Sequence, residues 1–186
     1  MKNYITSLVI IFTLIFSSNA VAQGKYLDKN GVLIFEASEK LFEEVKATNN
    51  TVTAIYDSST NQIASLALMK GFRFKNSLME EHFNENYIES NVYPKAKFKG
   101  MLVDFDPEKD LNQNITKAKV KGTLEIRGKQ KEIETLLTIQ KVDDTIAMSG
   151  EFVVTPEDFD IEIPNIVKNK IAKEVTVNLD FKLVKK

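Results

Sequence analysis

The chain has 186 residues, 25 Lys and Arg against 26 Asp and Glu, a formal net charge of −1, and neither Cys nor Trp. Without cysteine there is no disulfide framework, thiolate metal site, cysteine nucleophile or cysteine-linked lipid. The charges are interleaved, so the basic stripe of a nucleic-acid binder is missing. No linker, repeat or low-complexity stretch divides the chain, which leaves one domain large enough to rest on its core alone.

Met1–Ala22 reads as a secretory signal peptide: Lys2 gives the positive start, Ile5–Phe16 is apolar, and Ala20-Val21-Ala22 is a small-x-small cleavage site. The apolar run is shorter than the roughly 20 residues a spanning helix needs. Cleavage after Ala22, a domain over 23–186, a periplasmic or secreted location and no remaining integral membrane segment are expected.

Beyond the leader, alternation with period two dominates, the mark of half-buried strands. Val32–Glu36, Phe42–Thr48, Thr51–Tyr56 and Ile63–Phe74 read as strands, with Asn49-Asn50 as a tight turn. Leu66, Leu68, Phe72 and Phe74 are placed on one face of the last of these, with Arg73 opposite as a solvated charge. Ala118, Val120, Gly122, Leu124 and Ile126 alternate with Lys119, Lys121 and Glu125. The turn Arg127-Gly128-Lys129-Gln130 leads to Ile133, Leu137 and Ile139, and Asp143-Asp144 precedes Ile146, Met148, Gly150, Phe152 and Val154. At the C-terminus Val175, Val177, Leu179, Phe181 and Leu183 alternate with polar residues without exception. About eight strands with regular turn signals argue for an all-β fold, an antiparallel up-and-down eight-stranded β-barrel that leaves no edge to protect.

Two segments break this rhythm. Ser77-Leu78-Met79-Glu80 has the capping-box form, and Leu78, His82, Phe83, Asn86 and Tyr87 recur at helical spacing, so a short helix is expected to run to about Ser90, before Pro94. Thr155–Ile161 reads as a turn opening with Pro156, and Pro164–Lys173 as a loop or second short helix.

Three stretches together resemble the YceI-like family: Met79-Glu80-Glu81-His82-Phe83 through Tyr93-Pro94-Lys95-Ala96-Lys97-Phe98; Val120–Lys131 with its glycine turn; and Phe152-Val153-Val154-Thr155-Pro156-Glu157-Asp158-Phe159-Asp160-Ile161. The resemblance spans about Leu33–Leu183. The chain departs from the family in lacking Trp, in Glu80-Glu81 before the histidine, and in Asp160 where the family usually has Gly. The resemblance implies a lipocalin-like barrel holding a polyisoprenoid or isoprenoid quinone. No other cofactor and no metal is expected.

Alternation alone does not separate a filled barrel from a ligand-holding one. At about 0.3 kcal/mol per heavy atom, a 20-carbon tail is worth about 6 kcal/mol and a 40-carbon tail about 12, so tight retention favours a long chain. The expected lining is Leu66, Leu68, Phe72, Phe74, Val120, Leu124, Ile126, Phe152, Val154, Val177, Leu179 and Phe181. His82 is weighed both as a structural side chain and as a head-group contact. Glu80-Glu81 and Asp158 with Asp160 read as capping and turn residues, and no catalytic residue is assigned. The leading function is an exported carrier or sequestering protein for a long apolar isoprenoid. The alternatives are a stress-associated interaction protein with a filled barrel, with a homodimer as its interface, and a lipid enzyme using His82.

Overall fold

A computed structural model of the chain describes residues 24–39 and 42–186; the expected signal peptide lies outside the described residues. Among the described residues there are nine strands: β1 (Lys25–Ser38), β2 (Lys46–Asp57), β3 (Gln62–Leu68), β4 (Arg73–Phe74), β5 (Lys95–Val103), β6 (Thr116–Ile126), β7 (Lys129–Val142), β8 (Thr145–Val154) and β9 (Ile171–Lys185). They pair in the order β1-β9-β8-β7-β6-β5-β3-β2, and β1 also pairs with β2, which closes eight antiparallel strands into a barrel. The short β4 adds two residue pairs to β2, Ala47 with Phe74 and Thr48 with Arg73. The expected up-and-down barrel is therefore the observed fold.

Turn chemistry fixes much of the register. Arg127 and Gly128 both have positive φ, 49° and 73°, and Ile126 pairs with Lys129 around them. That is the two-residue hairpin whose twist matches the flanking strands. Asp143, with φ 54°, does similar work between Val142 and Thr145. At Gly100 and Gly122, directly paired across β5 and β6, a Cβ would come within 2.6 and 2.8 Å of the Phe98 ring. The bare backbone there lets that ring lie flat inside the barrel.

Three expectations about the N-terminal half are corrected. Phe42 lies in the loop before β2 and is exposed. Asn49-Asn50 is no turn, because β2 runs straight through it. Asn49 is fully buried, donating to the Leu68 carbonyl at 3.0 Å and accepting from the Thr51 amide and hydroxyl at 2.9 and 2.8 Å. A side chain so satisfied substitutes for the missing ladder partners of a bulge. Finally, Ile63–Phe74 is not one strand: a 3₁₀ turn at Met69–Gly71 divides β3 from β4. The turn shifts the phase, so period two does not carry across it.

One end of the barrel is closed and filled. The loop after β5 folds beneath it, burying Phe105 and Leu111 with Tyr26, Tyr56, Leu102, Ile139, Ile146, Met148 and Leu183. Tyr56 donates to Asn61 Oδ1 at 3.0 Å, and Asn61 donates to the Phe105 carbonyl at 2.6 Å, which ties the closing loop to the wall. Burial pushes the Tyr56 hydroxyl well above the usual phenol range, with the neighbouring Tyr26 and Asp57 adding to it.

Candidate ligand-binding site

Toward the opposite end the inward side chains are no longer fully buried. Leu33, Phe35, Ala96, Phe98, Ile126 and Leu179 face inward and pack on the core, yet each keeps part of its surface open. They flank a cavity of about 60 Å³ lined by residues of seven strands, among them Leu33, Phe98, Leu124, Ile133, Phe152 and Leu179. Its wall is almost wholly apolar. The polar lining residues are Ser65, Thr135 and Lys97. The Thr135 hydroxyl donates to the Glu151 carbonyl at 2.5 Å, and the Lys97 ammonium is held by Glu125 at 2.6 Å. Among the lining residues no acid, histidine or cysteine is present.

The mouth is crossed by the segment between β4 and β5. Its helix α1 (Ser77–His82) continues into a wide turn over Phe83–Tyr87, where the Ile88 amide reaches back to the Phe83 carbonyl at 3.0 Å. The N-cap is Asn76 rather than Ser77, accepting from the Leu78 and Met79 amides. Glu80 does reach back, but to the Phe74 amide at 3.1 Å and to Arg73 at 2.8 Å, which anchors α1 to β4. The inward side of this segment is Met79, Glu80, Phe83, Asn84, Tyr87 and Ile88. Phe83 meets Phe35, Phe72 and Phe74 at ring-centre distances of 5.3, 5.9 and 5.2 Å, forming an aromatic plug beside the cavity.

A second clasp joins the mouth segment to the β6–β7 turn. Arg127 donates to Glu89 and, at 2.6 Å, to the Asp160 carbonyl, and lies 5.7 Å from the Tyr93 ring centre. Asp160 adopts the left-handed conformation at φ 55°, which explains the Gly usual there. Its carboxylate pairs with Lys129 at 2.6 Å, and that hydrogen bond holds it below the usual carboxylate range. Asp158 likewise pairs with Lys131 at 2.7 Å, so these acids face basic partners across the mouth rather than only their own turn.

Among the expected lining residues, Val120, Leu124, Phe152, Leu179 and Phe181 do line the cavity. Ile126, Val154 and Val177 share the inward phase nearer the mouth, and Phe72 and Phe74 belong to the aromatic plug. Leu66 and Leu68 are on the outside of β3, Leu68 being 47% exposed, while Ile63, Ser65 and Ala67 face in. The phase break at Met69–Gly71 is the cause. His82 is exposed and absent from the lining, because the helix turns Phe83 inward beside it. Ala96 and Phe98 of the Tyr93–Phe98 signature, and Ile133 and Leu137 of β7, also line the cavity, beyond the expected set.

The sequence matches the YceI-like domain over residues 26–183. The chain belongs to the YceI-like family. No curated protein matches it. Among solved structures it resembles a polyisoprenoid binding domain from Saccharophagus degradans implicated in plant cell wall breakdown, at 16% identity and TM-score 0.75, covering 88% of this chain and 99% of that one. Burkholderia cenocepacia BcnA is similar at 15% identity and TM-score 0.67, covering 83% and 96%. The Campylobacter jejuni YCEI protein follows at 18% and 0.63, covering 78% and 87%. These likenesses establish the shared fold of this YceI-like barrel.

Proposed function

We propose that this YceI-like protein is an exported binding protein that carries or sequesters a long apolar isoprenoid, a polyprenyl chain or isoprenoid quinone, with its tail in the open half of the barrel. The observation that carries this is the contrast within one barrel: inward residues are closed off from solvent at the filled end and half-open around an apolar cavity at the other. A core evolved only for stability has no reason to leave Leu33, Phe98 and Leu179 partly uncovered. Family membership supports the reading, as does the polyisoprenoid binding of a solved domain with this fold. Export rests on the leader read in residues 1–22, and a lining that is apolar apart from Ser65, Thr135 and the ion-paired Lys97 favours binding.

Cavity size favours a second reading. At roughly 10–15 Å³ per carbon- or water-sized group, 60 Å³ takes about one isoprene unit. A longer chain therefore requires the aromatic plug to move aside, whereas a filled barrel acting through its surface requires nothing more. Native mass spectrometry of protein from its own host, followed by denaturing extraction, separates the two. A stoichiometric polyprenyl species is the expected result; a bare polypeptide mass supports the filled-barrel interaction protein.

A further inference from the structure

The outer wall beside the filled end breaks the rule that outward positions are polar. Strand register sets Val184, Leu27, Ile55 and Ala64 side by side across β9, β1, β2 and β3. Met101 lies one step away, opposite Gln62 on β5. Ile55 is 44% and Met101 49% exposed. Leu27, Ile55, Ala64 and Met101 form the floor of a concave groove of about 720 Å³, well within the size range of small-ligand sites.

The rim of this groove is basic. Lys25, Lys99, Lys121 and Lys186 line it against one acidic side chain, Asp57. Lys121 is paired away from the groove, with Glu134 at 2.8 Å. Lys25, Lys99 and Lys186 make no ion pair among the described residues. Asp57 is engaged by the Ser59 amide and hydroxyl at 3.0 and 2.5 Å. Lys25 stands directly opposite Asp57 in the β1–β2 register, so the surplus positive charge of the lining rests on Lys99 and Lys186.

An apolar floor under a positive rim sets the chemistry of the occupant. A second copy meeting this face would bring the same excess of lysines, so the face does not complement itself in charge, and a flat bilayer touches a concave face only at its edges. A single amphiphile with an anionic head satisfies both features. We propose that the groove is a second, external site for a single-chain anionic amphiphile, a long-chain phosphate monoester or carboxylate. Its chain lies over Leu27, Ile55 and Met101, and its head lies among Lys25, Lys99 and Lys186. The site is independent of what the barrel interior holds.

The test is a methyl-resolved NMR titration of the purified protein with dodecyl phosphate and with dodecanoate, both below their micelle concentrations, against dodecanol and inorganic phosphate alone. Saturable shifts at Leu27, Ile55 and Met101 with either anionic probe are expected, with weak or no response to dodecanol or inorganic phosphate. The double variant Lys25→Glu/Lys99→Glu, at two exposed positions, is expected to weaken binding by about tenfold or more. Ile55→Asn is expected to weaken it independently. Neither variant changes the lipid extracted from the barrel interior, so the outcome here is separable from that of the carrier reading. The proposal is overturned by shifts confined to Leu124 and Leu179, by affinity indifferent to the charge reversal, by equal binding of dodecanol, or by lysine-dependent binding to phosphatidylglycerol vesicles without binding of either single-chain probe.

Discussion

Leu183 and Leu179 lie on the same face of β9, four residues apart, and the carrier reading assigns them opposite surroundings. Leu183 is fully buried opposite Ile146 in the filled end; Leu179, between Leu33 and Gly150, lines the cavity. Replacing leucine by alanine removes three carbons, a transfer loss of about 2.4 kcal/mol at roughly 0.8 per carbon. At Leu183 the neighbours are packed on every side, so a cavity term adds to this and Leu183→Ala costs about 3–5 kcal/mol. At Leu179 part of the side chain already faces open space. The transfer loss is then about half and the existing cavity only grows, so Leu179→Ala costs about 1 kcal/mol. In a domain of this size the two differ by roughly 5–10 °C in Tm. With no tryptophan in the chain, far-UV circular dichroism during urea unfolding is the suitable assay. Leu179→Ala is also expected to change the amount or length of extracted lipid, and Leu183→Ala is not. If the two destabilise equally, within about 0.5 kcal/mol, the barrel is packed alike at both ends and the reasoning fails.

Phe83→Ala removes one ring of the plug and costs about 1–3 kcal/mol, below the usual buried-Phe range because the ring is half-buried; it is expected to speed transfer of bound lipid to vesicles, and an unchanged rate would show that the mouth lies elsewhere. Asp160→Gly relieves a left-handed backbone at the expense of an exposed pair with Lys129 and is expected to leave Tm unchanged or slightly raised, while Asp160→Ala keeps the strain, loses the pair and lowers it; the reverse order in thermal melts counts against the assignment. Tyr56 has a folded pKa above its unfolded value near 10, so its contribution is complete below pH 10 and lost as pH rises through the folded value. Stability should therefore fall between pH 10 and 12 by up to about 1.4 kcal/mol per pH unit, with a shallower fall in Tyr56→Phe than in the parent.

The C-terminal half of the barrel was legible because each strand there alternates without interruption between clear turns. Val120, Leu124, Phe152 and Leu179 all land where period two puts them. Across Ile63–Phe74 the same rule fails, since a 3₁₀ turn of three residues resets the phase and its one breaker signal, Gly71, sits inside an otherwise strand-like run. Asn49-Asn50 misled for a related reason: a turn-forming asparagine and the buried, bulge-bridging Asn49 use the same kind of side-chain hydrogen bond to the backbone two residues on. His82 drew attention as the only histidine, whereas the helix face that matters is set by Met79, Phe83 and Tyr87. The outer groove was invisible because its apolar floor comes from four strands, and each contributes only one apolar residue at an outward position, Leu27, Ile55, Ala64 and Met101.

The division of the barrel also answers how a chain without disulfides can keep a cavity in its interior. A cavity removes packing contacts from every side chain around it, so it is tolerable only if stability is secured elsewhere. Here the closing loop, with Phe105 and Leu111 beneath the Tyr26–Tyr56 pair, packs one end to completion, and strand closure satisfies the backbone all around. The mouth is then free to be held by weaker means. Its clasps are partly exposed ion pairs, Arg127 with Glu89 and Arg73 with Glu80, and half-buried phenylalanines, each cheap to break compared with the core below. Low local stability at the mouth over a rigid base is what a chain-length ligand demands, because the entrance must open without unfolding the wall.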